Sequence, residues 1–159
     1  MAGLSSLDVL FILTAFIVQI ALLAFFALRK WAFHTALRIG WIVYALSIPA
    51  ALVSLALLVG GMPWYFWLSG FLFLALAALG YTVEYRLHIE WRSPPRWSVF
   101  VPYVTLYLAM LMFYWWPLAA LLRPLWYVYA VLFVISTVLN TTSHRQPTGH
   151  DTQQRSGTG

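Results

Sequence analysis

A stretch of 45 uncharged residues, 39 to 83, is the feature that most limits what this chain can fold into. Gly60, Gly61 and Pro63 interrupt it near its middle. Each half is long enough to cross a bilayer, because about 20 apolar residues in a helix span the ~30 Å hydrocarbon core. Soluble domains carry about 25% charged residues, whereas this chain carries 8%. The sequence therefore predicts an integral membrane protein.

Charges and helix-breaking residues divide the chain into five apolar segments, at residues 8–28, 37–60, 63–84, 97–118 and 122–141. For the last two segments both to span, Arg123 and Pro124 must lie in a tight turn. The predicted fold is therefore all-α, a bundle of five transmembrane helices within residues 1–141. Residues 142–159 are polar and contain almost nothing to pack, so we expect them to form a disordered cytoplasmic tail.

The basic residues predict the orientation of the bundle. Only Arg123 lies in an outer connection, and the other eight Lys and Arg residues lie at the inner connections or in the tail: Arg29, Lys30, Arg38, Arg86, Arg92, Arg96, Arg145 and Arg155. Cytoplasmic loops carry the excess of Lys and Arg. We therefore expect a multi-pass protein of the cell membrane with its N-terminus outside. All nine tryptophans fall near predicted segment ends, where the membrane interface favours them.

Several polar and small residues are predicted to have structural roles. Asp8, with Ser5 or Ser6, would cap the start of the first helix. Gln19 lies deeper and is expected to form an interhelical hydrogen bond. Ala50 and Ser54, four residues apart, would permit another helix to approach closely, and the nearby proline at position 49 would kink their helix.

One group of residues could support chemistry at the cytoplasmic face. Glu84 and His88 lie four residues apart, on one line of a helix if the third helix continues past the interface. With His34 from the first inner connection they could bind a metal or transfer a proton. The alternative is that they belong to a charged, solvated helix end. Two ligands on one helix are too few to define a metal site, so no metal is predicted.

Aromatic residues make up 18% of the chain, and many lie on the fourth and fifth helices. Such a surface could bind a flat apolar ligand, for example a tetrapyrrole, sterol, quinone or carotenoid. The candidate ligand-binding residues are Gln19, Tyr103, Tyr107 and Trp115. Interfacial anchoring of the tryptophans is the competing interpretation, and no particular cofactor is indicated.

A short motif before the fourth helix, Ser93-Pro94-Pro95-Arg96-Trp97, is similar to the Pro-Pro-Arg-Trp stretch of the tryptophan-rich sensory (translocator) proteins. That family consists of five-helix binders of tetrapyrroles and sterols, so the resemblance implies a bundle with an apolar ligand. In that family the motif lies between the first two helices. Because its position differs here, the chain is not assigned to that family.

The function predicted from the sequence is that of a small non-enzymatic membrane protein, either a binder of an apolar small molecule or an accessory subunit of a membrane complex. The alternative is a membrane enzyme that acts on a lipid or isoprenoid at the cytoplasmic interface through Glu84, His88 and His34. The expected partners are membrane lipids, an apolar ligand or other membrane subunits. The net charge of +5 is spread over the connections, so no nucleic-acid partner is predicted. The absence of cysteine excludes disulfides and thiolate metal sites.

Overall fold

The computed structural model describes residues 4–87 and 96–142. Within these ranges the chain is helical and contains no strand. The helices are α1 (Ser6–Trp31), α2 (Phe33–Ala45), α3 (Ser47–Val59), α4 (Trp64–Tyr81), α5 (Trp97–Leu121) and α6 (Arg123–Thr142), and a π-helical turn, Thr82–Arg86, continues α4. Five spans are long and apolar enough to cross a membrane, with α2 and α3 together providing the second, Arg38–Val59. The predicted five-helix bundle is therefore confirmed.

The five spans form a closed ring in chain order. The most extensive contacts join α3 to α4 and α4 to α5, followed by those between α1 and α6. α1 also packs against α2, α3 and α5, and α5 packs against α6. The first and last described spans are thus neighbours, which brings side chains of α1, α5 and α6 together in the core.

A reciprocal pair of hydrogen bonds starts α1. The Asp8 backbone N–H donates to the Ser5 hydroxyl over 3.1 Å, and the Ser5 backbone N–H donates to the Asp8 carboxylate over 2.8 Å. This capping box satisfies two donors that a helix start would otherwise leave unpaired. The predicted structural role of Asp8 is confirmed.

Two connections are shorter than the sequence segments suggested. Only Ala32 separates α1 from α2, and only Leu122 separates α5 from α6. The basic residues of the first connection consequently lie on helix ends instead of in a loop of residues 29–36, which corrects the predicted boundaries. α5 continues through Pro117, and the tight turn lies at Leu122 instead of at the predicted Arg123 and Pro124, which begin α6.

The end of α3 shows why the long uncharged stretch divides where it does. The Met62 backbone N–H donates to the Leu57 carbonyl over 3.0 Å, and the Gly61 N–H donates to the Leu58 carbonyl over 3.1 Å. Gly61 has φ +74°, a conformation that costs glycine little. This pattern is a Schellman motif, which ends the helix while satisfying its last carbonyls.

The second span is interrupted at Leu46, between α2 and α3. Pro49 lies in the first turn of α3 and has no N–H to donate to the Ala45 carbonyl. The Ser47 hydroxyl donates to the Tyr44 carbonyl over 2.6 Å and so satisfies part of the opened turn. The interruption lies three residues before Pro49, and Leu46 keeps right-handed helical angles with its N–H donating to the Ile42 carbonyl over 2.9 Å. The kink at Pro49 therefore stays a prediction.

α3 and α4 are joined by a close backbone approach. The Gly70 N–H donates to the buried Ser54 hydroxyl over 3.1 Å. A Cβ atom added to Gly70 would overlap both the Ser54 hydroxyl and the backbone carbonyl of Ala50. The close approach predicted for Ala50 and Ser54 is confirmed, and its partner is a glycine of α4.

Single-cysteine labelling tests the predicted orientation, because the chain has no cysteine of its own. Cysteines placed near Gly60 and Pro117 should react with a membrane-impermeant maleimide on intact cells. Those near Lys30, Pro94 and Thr148 should react only after the membrane is opened. The expected result follows from the distribution of Lys and Arg. Labelling of Pro94→Cys from outside intact cells would reverse the orientation.

Candidate functional site

A cleft lies in the half of the bundle that the charge pattern assigns to the cytoplasmic side. Its walls come from four helices, α1, α2, α4 and α5: Leu22, Phe25, Phe26, Gly40, Val43, Tyr44, Phe73, Leu76, Ala77, Tyr103 and Tyr107. None of these residues is charged. Its volume is about 20 Å³, taken as the space open to the centre of a water-sized sphere. It therefore has room for one water molecule or a methyl-sized group.

One wall of the cleft belongs to a separate helical segment. Gly40, Val43 and Tyr44 belong to α2, which is separated from α3 by the break at Leu46. The extensive packing of the second span lies on the other side of that break, where Gly70 holds α3 against α4. α2 itself packs mainly against α1 and less extensively against α4.

Gln19 forms the predicted interhelical hydrogen bond. Its Nε2 atom donates to the Ser136 hydroxyl of α6 over 3.0 Å, and that hydroxyl donates to the Phe133 carbonyl over 3.0 Å. Gln19 and Ser136 are both fully buried. The Gln19 Oε1 atom has no hydrogen-bond partner among the described residues. Gln19 is therefore satisfied on its donor side only.

Tyr107 connects this hydrogen bond to the cleft. Its ring lines the cleft and packs edge-on against Phe26, with ring centroids 6.1 Å apart. Its hydroxyl is buried beside Ser136 but makes no hydrogen bond of good geometry within the described part of the chain. The structure thus brings together three of the four candidate ligand-binding residues, with Tyr103 and Tyr107 in the cleft and Gln19 next to Tyr107 through Ser136.

Two buried tyrosines were missed by the sequence reasoning. The hydroxyls of Tyr114 and Tyr129 are buried and have no hydrogen-bond partner in the described ranges. Tyr114 lies next to Ser69 of α4, and Tyr129 lies within electrostatic range of Tyr107 and Tyr114. Tyr114 lies seven residues after Tyr107, and Ser136 lies seven residues after Tyr129. Because residues seven apart share a helix face, this spacing could have indicated that each pair faces the same neighbours.

Trp115, the fourth candidate, lies outside the cleft. Its indole stacks on Trp126 of α6 with centroids 4.9 Å apart and an interplanar angle of 14°. Its Nε1–H donates to the Trp126 carbonyl over 3.1 Å, and its ring also stacks on Phe133. These contacts place Trp115 in the packing between α5 and α6, at the end opposite the cleft.

Most of the acid–base group predicted from Glu84, His88 and His34 lies outside the part of the chain that the structure describes. His88 lies outside the described residues, as do the side chains of Glu84 and His34. The backbone at Glu84 is in the π-helical turn, so α-helical geometry ends at Tyr81, before this residue. Among the side chains that the structure describes, no group of three or more His, Cys, Asp or Glu could hold a metal ion.

Comparison of the chain with protein-family models, with curated proteins and with solved structures gives no match.

Proposed function

We propose that this multi-pass protein binds an uncharged apolar small molecule in the cleft between α1, α2, α4 and α5, within the cell membrane. The observation that carries the proposal is an uncharged cleft lined almost entirely by aliphatic and aromatic side chains, at a point where four helices meet. Pockets of this composition suit apolar ligands, with a few polar groups to orient them. Tyr103 and Tyr107 supply the phenol groups that could orient a ligand here.

Binding a molecule of several carbon atoms requires the cleft to widen beyond its present 20 Å³. The wall formed by α2 is the part proposed to move, because the helix is interrupted at Leu46 while the Gly70–Ser54 hydrogen bond holds α3 against α4. A ligand that binds the widened state better shifts the population towards it. The proposed binding site is therefore a cleft whose α2 side moves outward when the ligand binds.

Ala77→Leu should block binding without unfolding the protein. Ala77 is buried on α4 and lines the cleft, so a leucine there occupies the space that a ligand needs. We expect the purified variant to lose the apolar molecules that mass spectrometry detects in organic extracts of the wild type. Its thermal unfolding temperature in detergent should fall moderately, because leucine adds three carbon atoms where the cleft has room for about one.

The matched control is Ala75→Leu, the same substitution on the exposed side of α4. This variant should retain the ligand at wild-type levels. Equal retention by the two variants would contradict binding in the cleft. Stoichiometric membrane subunits that co-purify in place of an apolar molecule would favour the accessory-subunit function instead.

A further inference from the structure

The core of the bundle contains polar atoms that the described residues leave unpaired. They are the Gln19 Oε1 atom and the hydroxyls of Tyr107, Tyr114 and Tyr129. Gln19 and Tyr129 are fully buried, and Tyr114 and Tyr107 are 1% and 6% exposed. A buried polar atom without a partner costs about as much as the hydrogen bond it lacks, and it often marks an internal water or ligand.

Two members of this group of unpaired atoms lie next to the same residue, Ser136. Gln19 reaches Ser136 by its hydrogen bond, and Tyr107 lies beside the same serine. Tyr129 is close enough to Tyr107 and Tyr114 for their hydroxyls to interact electrostatically, yet it hydrogen-bonds to neither. Ordered water commonly bridges polar groups that lie beyond direct hydrogen-bonding distance.

The hydrogen-bonding chemistry of the group also suits water. Three phenol O–H groups require acceptors, and the Gln19 Oε1 atom requires a donor. A water oxygen accepts from two phenols while its hydrogens donate to the amide oxygen and to another acceptor. An ion suits the group less well, because none of its members is charged and burying a bare charge is costly.

We propose that Gln19, Tyr107 and Tyr129 bind at least one ordered water molecule inside the bundle, where α1, α5 and α6 meet. The water accepts hydrogen bonds from the two phenols and donates one to the Gln19 Oε1 atom. This site is separate from the ligand cleft, whose mainly apolar walls favour an apolar group over water. Tyr107 is the residue that the two sites share.

An experimental map that resolves water, from the detergent-purified full chain, tests the site directly. We expect an isolated peak at hydrogen-bonding distance from Tyr107, Tyr129 and the Gln19 Oε1 atom, and its loss in the Gln19→Leu variant. A map with no such peak would overturn the proposal. Density that continues into the cleft as part of a larger molecule would also overturn it, because the acceptor would then be a ligand oxygen.

Thermal unfolding in detergent gives an independent test. The change in Tm caused by Tyr129→Phe differs according to whether the hydroxyl binds a water or is unpaired. If Tyr129 donates to a bound water, Tyr129→Phe should lower Tm by roughly 2–4 °C through the lost hydrogen bond. If the hydroxyl is truly unpaired, removing it should leave Tm unchanged or raise it, and that result rejects the site. Tyr127→Phe is the control, because Tyr127 is 62% exposed on the same helix; it should leave Tm unchanged. The Tm comparison is independent of the proposed ligand site, because neither Tyr129 nor Tyr127 lines the cleft.

Discussion

Gly70→Ala is expected to destabilise the bundle by about 1–3 kcal/mol, the usual cost of forcing an extra methyl group into a packed interior. The new methyl would overlap the backbone carbonyl of Ala50. A backbone atom cannot rotate away, so α3 and α4 would have to separate. Their separation would also weaken the hydrogen bond from the Gly70 N–H to Ser54. Thermal or denaturant unfolding of the purified protein in detergent measures the loss.

Gly60→Ala is a suitable control because it adds the same methyl group at the end of α3, where the nearest side chain belongs to α1. That methyl would meet the Cδ1 atom of Leu7, the end of a flexible side chain that can change rotamer. We expect a much smaller loss of stability than for Gly70→Ala. Equal losses for the two variants would mean that α3 and α4 do not depend on this close approach.

Trp115→Ala should cost about 2–3 kcal/mol, at or below the lower end of the range for a fully buried aromatic side chain, because Trp115 is half-buried. The low end applies because lipid is as apolar as the side chain, so packing rather than transfer from water dominates. The variant loses the stacked contacts with Trp126 and Phe133 and the hydrogen bond to the Trp126 carbonyl. The expected result is a lower Tm with ligand retention unchanged, because Trp115 lies outside the cleft.

Trp116→Ala provides the comparison, since its neighbour Trp116 is 58% exposed and stacks only on Tyr65 among the described aromatic residues. This change should lower Tm by less. Loss of the ligand in the Trp115→Ala variant at unchanged Tm would support the original assignment of Trp115 to a binding site. It would also mean that the cleft is not where the ligand binds.

Much of the fold could be predicted because lipid as a solvent leaves few alternatives. A run of uncharged residues must form a helix, and charges and glycines determine where it ends. The cap at Asp8 and the bond made by Gln19 were predictable for a similar reason, since a polar group at such a depth needs a partner. The one-residue turns at Ala32 and Leu122 were harder to predict from the sequence, because basic side chains occur equally on a helix end and in a loop.

The site was predicted less well because composition does not reveal which helix faces meet. Tyr107 and Trp115 were assigned to one site, although eight residues of helix separate them by about 12 Å along the axis. Tyr114 and Tyr129 were read as part of an aromatic surface, and only the packing of α5 on α6 shows that their hydroxyls are buried. The hydrogen-bond partner of Ser54 could not be predicted either, since nothing in the sequence links Ser54 to Gly70.

The neighbouring positions of α1 and α6 have a consequence for how the protein is made. Gln19 enters the membrane with the first helix, but Ser136, its hydrogen-bond partner, follows 117 residues later. At about 5–20 residues per second, ribosomal synthesis takes roughly 6–23 s to cover that distance. During this interval the Gln19 amide must form its hydrogen bonds with lipid headgroups, water or the insertion machinery. Because α6 is synthesised last, closure of the helix ring is the final step of folding. A ribosome that stalls before α6 would leave the Gln19 amide without its partner inside the membrane, where a membrane quality-control protein could recognise it.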